Sequence, residues 1–196
     1  MSKSTKQSSN SLRNQIRQLR REIPDEIRSK HDRSIRQHLF QLIKSQSATS
    51  LACYWPFDGE PDLIPLCKQL MMDDCEIALP VVSEIDDFTM EFYRWDAGTA
   101  LKQNHYGINE PCKTNSMPLA GFDMLLMPLV AYDKTGNRLG MGSGYFDRHL
   151  ESLRNTHRPL RIGVAYSLQQ ADLISKNDWD IPLHGLVNEH GWIAFD

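Results

Sequence analysis

The sequence predicts an α/β fold: a single three-layer domain in which a mostly parallel sheet is flanked by helices, with a helical arm at the N-terminus. Three observations carry this. Short apolar runs at residues 51–55, 77–82, 122–130 and 161–166 read as buried strands. Segments of helical period separate them, and strands alternating with helices give parallel-rich sheets. Two helix-periodic stretches precede the first strand, and neither an internal repeat nor a domain-separating linker follows.

Residues 1–10 are rich in Ser, Lys and Asn and are expected to be disordered, leaving residues 11–196 as the domain. From Ser11 a helix places Leu12, Ile16 and Leu19 on one face and Arg13, Arg17, Arg20 and Arg21 on the other. Pro24 suits a first helical turn, and Asp25 and Glu26 suit its positive end. The second helix carries the stripe Ile27, Ile35, Leu39, Leu42 and Ile43 and should end near Ser45. Pro56 ends the first strand, residues 57–61 turn, and Leu63, Leu66, Leu70 and Met71 mark a third helix. Residues 88–93 alternate as a strand, whereas residues 107–118 read as loop. Pro128 interrupts the most apolar strand near its end. A glycine loop, a helix over residues 145–153, a strand over 161–166, the segment 180–183 and the alternating stretch 192–195 complete the order.

A chain of 196 residues can bury one sizeable core. No stretch approaches the about 18 consecutive apolar residues that span a bilayer. The polar N-terminus lacks the apolar centre of a secretory signal. Cys53, Cys67, Cys75 and Cys112 show no CxxC or zinc-like spacing, so reduced thiols in a cytoplasmic protein are expected. Charge is uneven: residues 1–46 carry net +7 and the remainder −10. Such an arm could bind nucleic acid, face phosphates or dock on its own acidic body. The body has no aromatic-and-basic platform for nucleic acid, and self-docking is the reading we favour.

The most informative stretch is Arg138-Leu139-Gly140-Met141-Gly142-Ser143-Gly144-Tyr145-Phe146-Asp147-Arg148. Alternate glycines pack nothing, but they permit positive φ and let a backbone press on a ligand. Between an apolar run and a helix, they leave unpaired amides and a positive dipole end aimed at one place, which suits a phosphate. Arg138 and Arg148 add full charges, and Asp147 a hard oxygen for Mg²⁺. A plain hairpin connector is the competing use of the same glycines. The spacing is GxGxG, which matches neither the dinucleotide fingerprint nor the P-loop, and no nucleophile elbow is present.

Residues 133–148 resemble the signature of the 5-formyltetrahydrofolate cyclo-ligase family, also called methenyltetrahydrofolate synthetases. Further motifs agree in order: Leu12-Arg13 with Arg17 and Arg20, Gly59-Glu60-Pro61-Asp62, Leu79-Pro80, and Gly107-Ile108-Asn109-Glu110-Pro111. The likeness covers the chain from about Leu12 to Trp192. It implies an ATP- and Mg²⁺-dependent enzyme that closes 5-formyltetrahydrofolate into 5,10-methenyltetrahydrofolate. It implies Arg138, Gly142 and Tyr145 as catalytic residues, and ATP held by Arg13, Arg138, Leu139, Gly140, Met141, Gly142, Ser143, Gly144, Tyr145 and Phe146. Asp147 would hold Mg²⁺. Trp55 and Glu60 would line the folate site, Glu60 accepting hydrogen bonds from the pterin, with Met141, Gly142, Ser143, Gly144 and Tyr145 between the two ligands. The expected partners are these small molecules, acting on a monomer without nucleic acid or membrane. Ser9, Ser143 and His184 depart from the family pattern, His184 standing where an Asp would give a second metal contact. A non-catalytic nucleotide or folate sensor, and a phosphate-binding sugar isomerase or transferase, stay open beside it.

Overall fold

The computed structural model describes residues 3–83, 89–112, 115–154, 156–175, 177 and 179–195. Helix α1 spans Lys3–Arg21, so the first helix begins earlier than Ser11. Helix α2 spans Asp25–Ser45, with Asp25 and Glu26 in its first turn and Lys44 in its last, each at the dipole end that favours it. Ile35, Leu39 and Ile43 are buried as expected, but Ile27 is exposed, as is Leu19 of α1.

The main sheet uses β1 (Ser50–Ala52), β2 (Glu76–Val82), β3 (Met90–Arg94), β6 (Ser116–Met117), β7 (Met124–Pro128), β10 (Leu160–Val164), β11 (Gly185–Asn188) and β12 (Gly191–Ala194). Its order is β12-β11-β10-β7-β1-β2-β3-β6. The five central strands, β2 to β11, run parallel; at the edges β12 pairs antiparallel with β11, β3 with β2, and β6 with β3. Between them the chain forms two hairpins, β4 (Leu101–Gln103) with β5 (Asn109–Pro111), and β8 (Ala131–Tyr132) with β9 (Arg138–Leu139). The stretch read as loop, 107–118, therefore contains β5 and β6, and β11 falls where no strand was expected. Phe88, expected in the third strand, lies outside the described residues.

Alternation along the strands divides the core in two. Leu51, Ile77, Leu79, Met124, Leu126, Ile162, Val164 and Val187 pack with α2 and with α3 (Ile64–Met72). Ala52, Ala78, Leu125, Met127 and Leu186 pack with Leu150 of α4 (Tyr145–Leu150) and with Leu153 just beyond it. Because both faces are covered, the central strands are mostly apolar, which made β1, β2, β7 and β10 legible in the sequence. No helix among the described residues is long and apolar enough to cross a membrane.

Strand β1 stops at Ala52, three residues short of the apolar run that predicted it. The Cys53 amide still bonds Ala78 O at 2.9 Å. The next donor of a parallel ladder would be the amide of Pro80, which has no N–H. The chain therefore leaves the sheet here, and this exit creates the crevice described next.

Candidate active site

From β1 the chain moves one way to β2 and later the other way to β7 and β10. The strand order reverses at β1 and β7, and in open α/β sheets ligands collect in the crevice outside the carboxyl ends at such a point. Two loops leave the sheet there, residues 53–63 after β1 and residues 129–144 after β7. Helix α1 ties them together. Arg20, fully buried, donates from Nη1 to Leu129 O at 3.2 Å and from Nε to Asp58 O at 3.0 Å.

The loop after β1 is held from many sides. Asp58 accepts Arg17 Nε at 2.7 Å, Arg20 Nη2 at 3.3 Å, and Arg21 Nε. Burial tends to raise its carboxyl, but the hydrogen bonds from Arg17 and Arg21 prevail and hold it below the usual range. The basic arm thus docks on its own body, and Arg17 and Arg20 are structural. Gly59 takes φ +76°, and a Cβ there would lie 3.0 Å from Arg28 Nη1, which donates to Gly59 O at 2.9 Å. Glu60 is 8% exposed, and its Oε2 accepts the Phe57 amide at 3.1 Å. Desolvation pushes its carboxyl up to about 7, with Arg20 pulling the other way. Trp55 is half-buried and meets Trp95 edge-on at 5.7 Å.

The loop after β7 begins with the β8–β9 hairpin, whose turn is built on Asp133. Its Oδ1 accepts the amides of Thr135 and Asn137 at 2.9 and 3.1 Å, and its Oδ2 accepts the Ile174 amide at 3.0 Å. Leu12 and Ile16 of α1 pack with Val130, Ala131, Leu139 and Ile174. That contact brings Arg13 over the glycines: its Nε donates to Gly140 O at 2.8 Å, and a Cβ on Gly142 would lie 3.9 Å from its guanidinium carbon. Gly142 (φ +111°) and Gly144 (φ +70°) use conformations that L side chains rarely adopt. Met141, Gly142 and Ser143 are exposed. Leu139 is buried, so only its backbone can face a ligand. Tyr145 and Phe146 are half-buried against the core on the α4 face.

Arg138 and Asp147 are joined to each other. Arg138 Nη2 donates to Asp147 Oδ1 at 2.5 Å, Arg138 Nη1 donates to Ile181 O, and the Ile181 amide donates to Asp147 Oδ1 at 3.3 Å. Asp147 Oδ2 has no hydrogen-bond partner among the described residues. No group of three His, Cys, Asp or Glu side chains suited to a metal occurs among the described residues. Mg²⁺ commonly takes one or two carboxylates and completes its shell with phosphates and water, so Asp147 alone is a fitting donor. His184 is not placed as a ligand: its Nδ1 accepts the Arg161 amide at 2.9 Å, and Arg161 Nη2 lies 2.9 Å from Nε2. Burial and the Arg161 charge lower its imidazole to about 4.

Three residues escaped sequence reading. Asp133 carried a usable signal, since Asp three residues before Gly marks a side-chain-capped turn. Arg161, 4% exposed, carried none, because a charged residue in a strand reads as solvated, and Glu110, 3% exposed, carried only its place in the motif at residues 107–111, which says nothing of its burial. A groove of about 310 Å³ between α2 and α3, lined by Arg33, Arg36, Phe40 and Leu66 among others, includes no residue of either loop.

A doubly wound α/β protein with its glycine loop at the switch point is the class that this fold and crevice define. The family model of the 5-formyltetrahydrofolate cyclo-ligase family matches residues 5–189, and the chain belongs to that family. A 5-formyltetrahydrofolate cyclo-ligase of Haemophilus influenzae is 36% identical over 178 residues, covering 90% of this chain and 95% of the relative. One from Escherichia coli is 31% identical, covering 88% and 95%. Among solved structures, the 5,10-methenyltetrahydrofolate synthetase of Aquifex aeolicus superposes with a TM-score of 0.82 at 30% identity, covering 95% of this chain and 92% of the other.

Proposed function

We propose that this chain is an ATP- and Mg²⁺-dependent ligase that closes 5-formyltetrahydrofolate to 5,10-methenyltetrahydrofolate, acting as a cytoplasmic monomer. The observation that carries the reading is the exposed glycine loop at the β1–β7 switch point with Arg13 laid over it, in a chain matched by the family across residues 5–189.

A formamide oxygen is a poor leaving group. Transferring a phosphoryl group to it lets it depart as phosphate when the neighbouring folate amine attacks the carbon. Such transfer asks the protein for positioning and charge neutralisation more than for covalent chemistry. In this assignment the amides of Gly140, Gly142 and Gly144 cradle the phosphates, and Arg13 supplies positive charge beside them. Asp147 would hold Mg²⁺ through Oδ2, and the ion would neutralise phosphate charge. Arg138 acts through Asp147 by fixing its other oxygen. Tyr145, Met141 and Ser143 flank the place where the ligands meet. Trp55 and Glu60 line the folate side, and a carboxyl poised near 7 can accept from pterin N–H groups once a ligand cation or donor favours its charged form.

Purified chain mixed with 5-formyltetrahydrofolate and Mg-ATP should produce the absorbance of the methenyl product. Binding of both ligands without product would instead mark a sensor. Failure of either ligand to raise the melting temperature would remove the reading, since saturating ligand adds a few kcal/mol.

A further inference from the structure

The motif Gly107-Ile108-Asn109-Glu110-Pro111 has no role in the assignment above. Glu110, in β5, is buried, and its Oε1 accepts Val82 N at 3.0 Å and Asn104 Nδ2 at 2.7 Å. Both donors are fixed. The Ser83 amide bonds Thr89 O across to the β3 side, so the amide of Val82 points the other way, toward β1. Strand β1 has already ended at Ala52, paired with Ala78, four residues earlier along β2. The Glu110 carboxylate therefore occupies the place in the sheet plane that β1 would take had it continued. This is the carboxyl end of the sheet, beside the exit of the loop that bears Trp55 and Glu60. Asn104 is oriented by its own turn, its Oδ1 accepting the amides of Tyr106 and Ile108 at 2.9 and 3.1 Å.

The second oxygen of Glu110, Oε2, has no hydrogen-bond partner among the described residues. Nor is it one of the side-chain atoms sealed from solvent without a partner, which are His31 Nδ1 and Asn177 Oδ1. A buried carboxylate with one oxygen used and one open is costly unless something donates to it. We propose that Glu110 is a substrate-contacting residue whose Oε2 accepts from the N–H edge of the pterin ring. The reduced pterin offers an exocyclic amine and ring N–H groups, more donors than Glu60 alone can take. This rests on the proposed function.

The test compares wild type, Glu110→Gln and Glu110→Ala in steady-state turnover of 5-formyltetrahydrofolate with Mg-ATP. Glutamine keeps the acceptor for Val82 and Asn104 but replaces Oε2 with an amide that can only donate. The expected result for Glu110→Gln is a folate KM raised about tenfold or more, with the ATP KM changed less than about twofold and the melting temperature nearly kept. A purely structural role predicts that Glu110→Gln matches wild type while Glu110→Ala is impaired, and that outcome overturns the proposal. Should Glu110→Gln melt early, the affinity lost on dimethylating the exocyclic amine of a 5-formyl pterin is compared in wild type and in Glu110→Gln held below its melting temperature: an equal loss overturns the assignment, and a smaller loss in the variant supports it. Absence of product from wild type is a different failure, that of the proposed function itself.

Discussion

The two loops that flank the switch point are built on opposite principles. Residues 53–63 are pinned by Arg17, Arg20, Arg21 and Arg28 from the arm, and they bury Glu60. Residues 140–144 are mostly exposed, carry little side chain, and receive Arg13 through one carbonyl. The first loop is rigid before any ligand arrives and so can select by shape. The second has backbone donors and little to hold them, so an anion bound there would supply its order. A large flexible polyanion suits such a loop, whereas a planar ring suits a preformed wall.

The comparison can be broken most decisively at Asp147. Asp147→Ala should lower turnover about 1,000-fold while folate affinity, followed by calorimetry, is little changed. Turnover within tenfold of wild type would take the phosphate end away from this loop. On the rigid side, Glu60 should impose a pH dependence. Its carboxyl stands at about 7 folded against an ordinary 4.5, so the folded state holds the proton more tightly. Its contribution is therefore fully present below the unfolded value and is lost as pH rises from about 4.5 through about 7, a change on the order of 3 kcal/mol. Urea unfolding of wild type and Glu60→Gln at pH 5 and pH 8 should show their difference shift by that order, in favour of the glutamine variant at high pH; parallel curves would show that Glu60 ionises normally.

Asp58→Ala leaves Arg20 buried without its carboxylate and should cost about 2–3 kcal/mol in the same assay, reduced because Arg17 and Arg21 stay partly wet. Ser143→Ala in the exposed loop should lie within about 0.5 kcal/mol of wild type. Equal costs would erase the contrast between the loops. Gly142→Ala forces an L side chain to φ +111° in a loop that can yield, so it should weaken ATP binding about tenfold with little change in melting temperature. Arg13→Ala should act on ATP no more strongly than Gly142→Ala, with an ATP KM raised about three- to tenfold and folate KM unchanged, since the side chain is partly solvated and also engaged with Asn10. An unaltered ATP KM would leave Arg13 as a helix-to-loop tie.

Strands were legible in the sequence in two ways: burial on both faces leaves an apolar run, as in β7, and burial on one face leaves alternation, as in β3, whereas β5 and β6 are too short and too polar to differ from loop. The glycine loop stood out because alternate glycines have no packing use, whereas the helix-start place of Asp147 is explained by the dipole alone and its metal role rests on the resemblance. The burial of Arg20 was not legible, because helical period shows which residues share a face, not what the face meets.

By itself the sequence determined the layered α/β class and the family that the glycine loop signals, and its charge segregation favoured docking of a basic arm on an acidic body. These are written locally, in hydrophobic period, charge segregation and side chains that are missing. Only the tertiary structure decided that Arg138 and Asp147 are partners, that Asp58 gathers three arginines, and that Glu110 fills the place β1 vacates. Each depends on residues far apart in the chain, and the sheet order that brings them together is set by packing of whole elements, which no local pattern records.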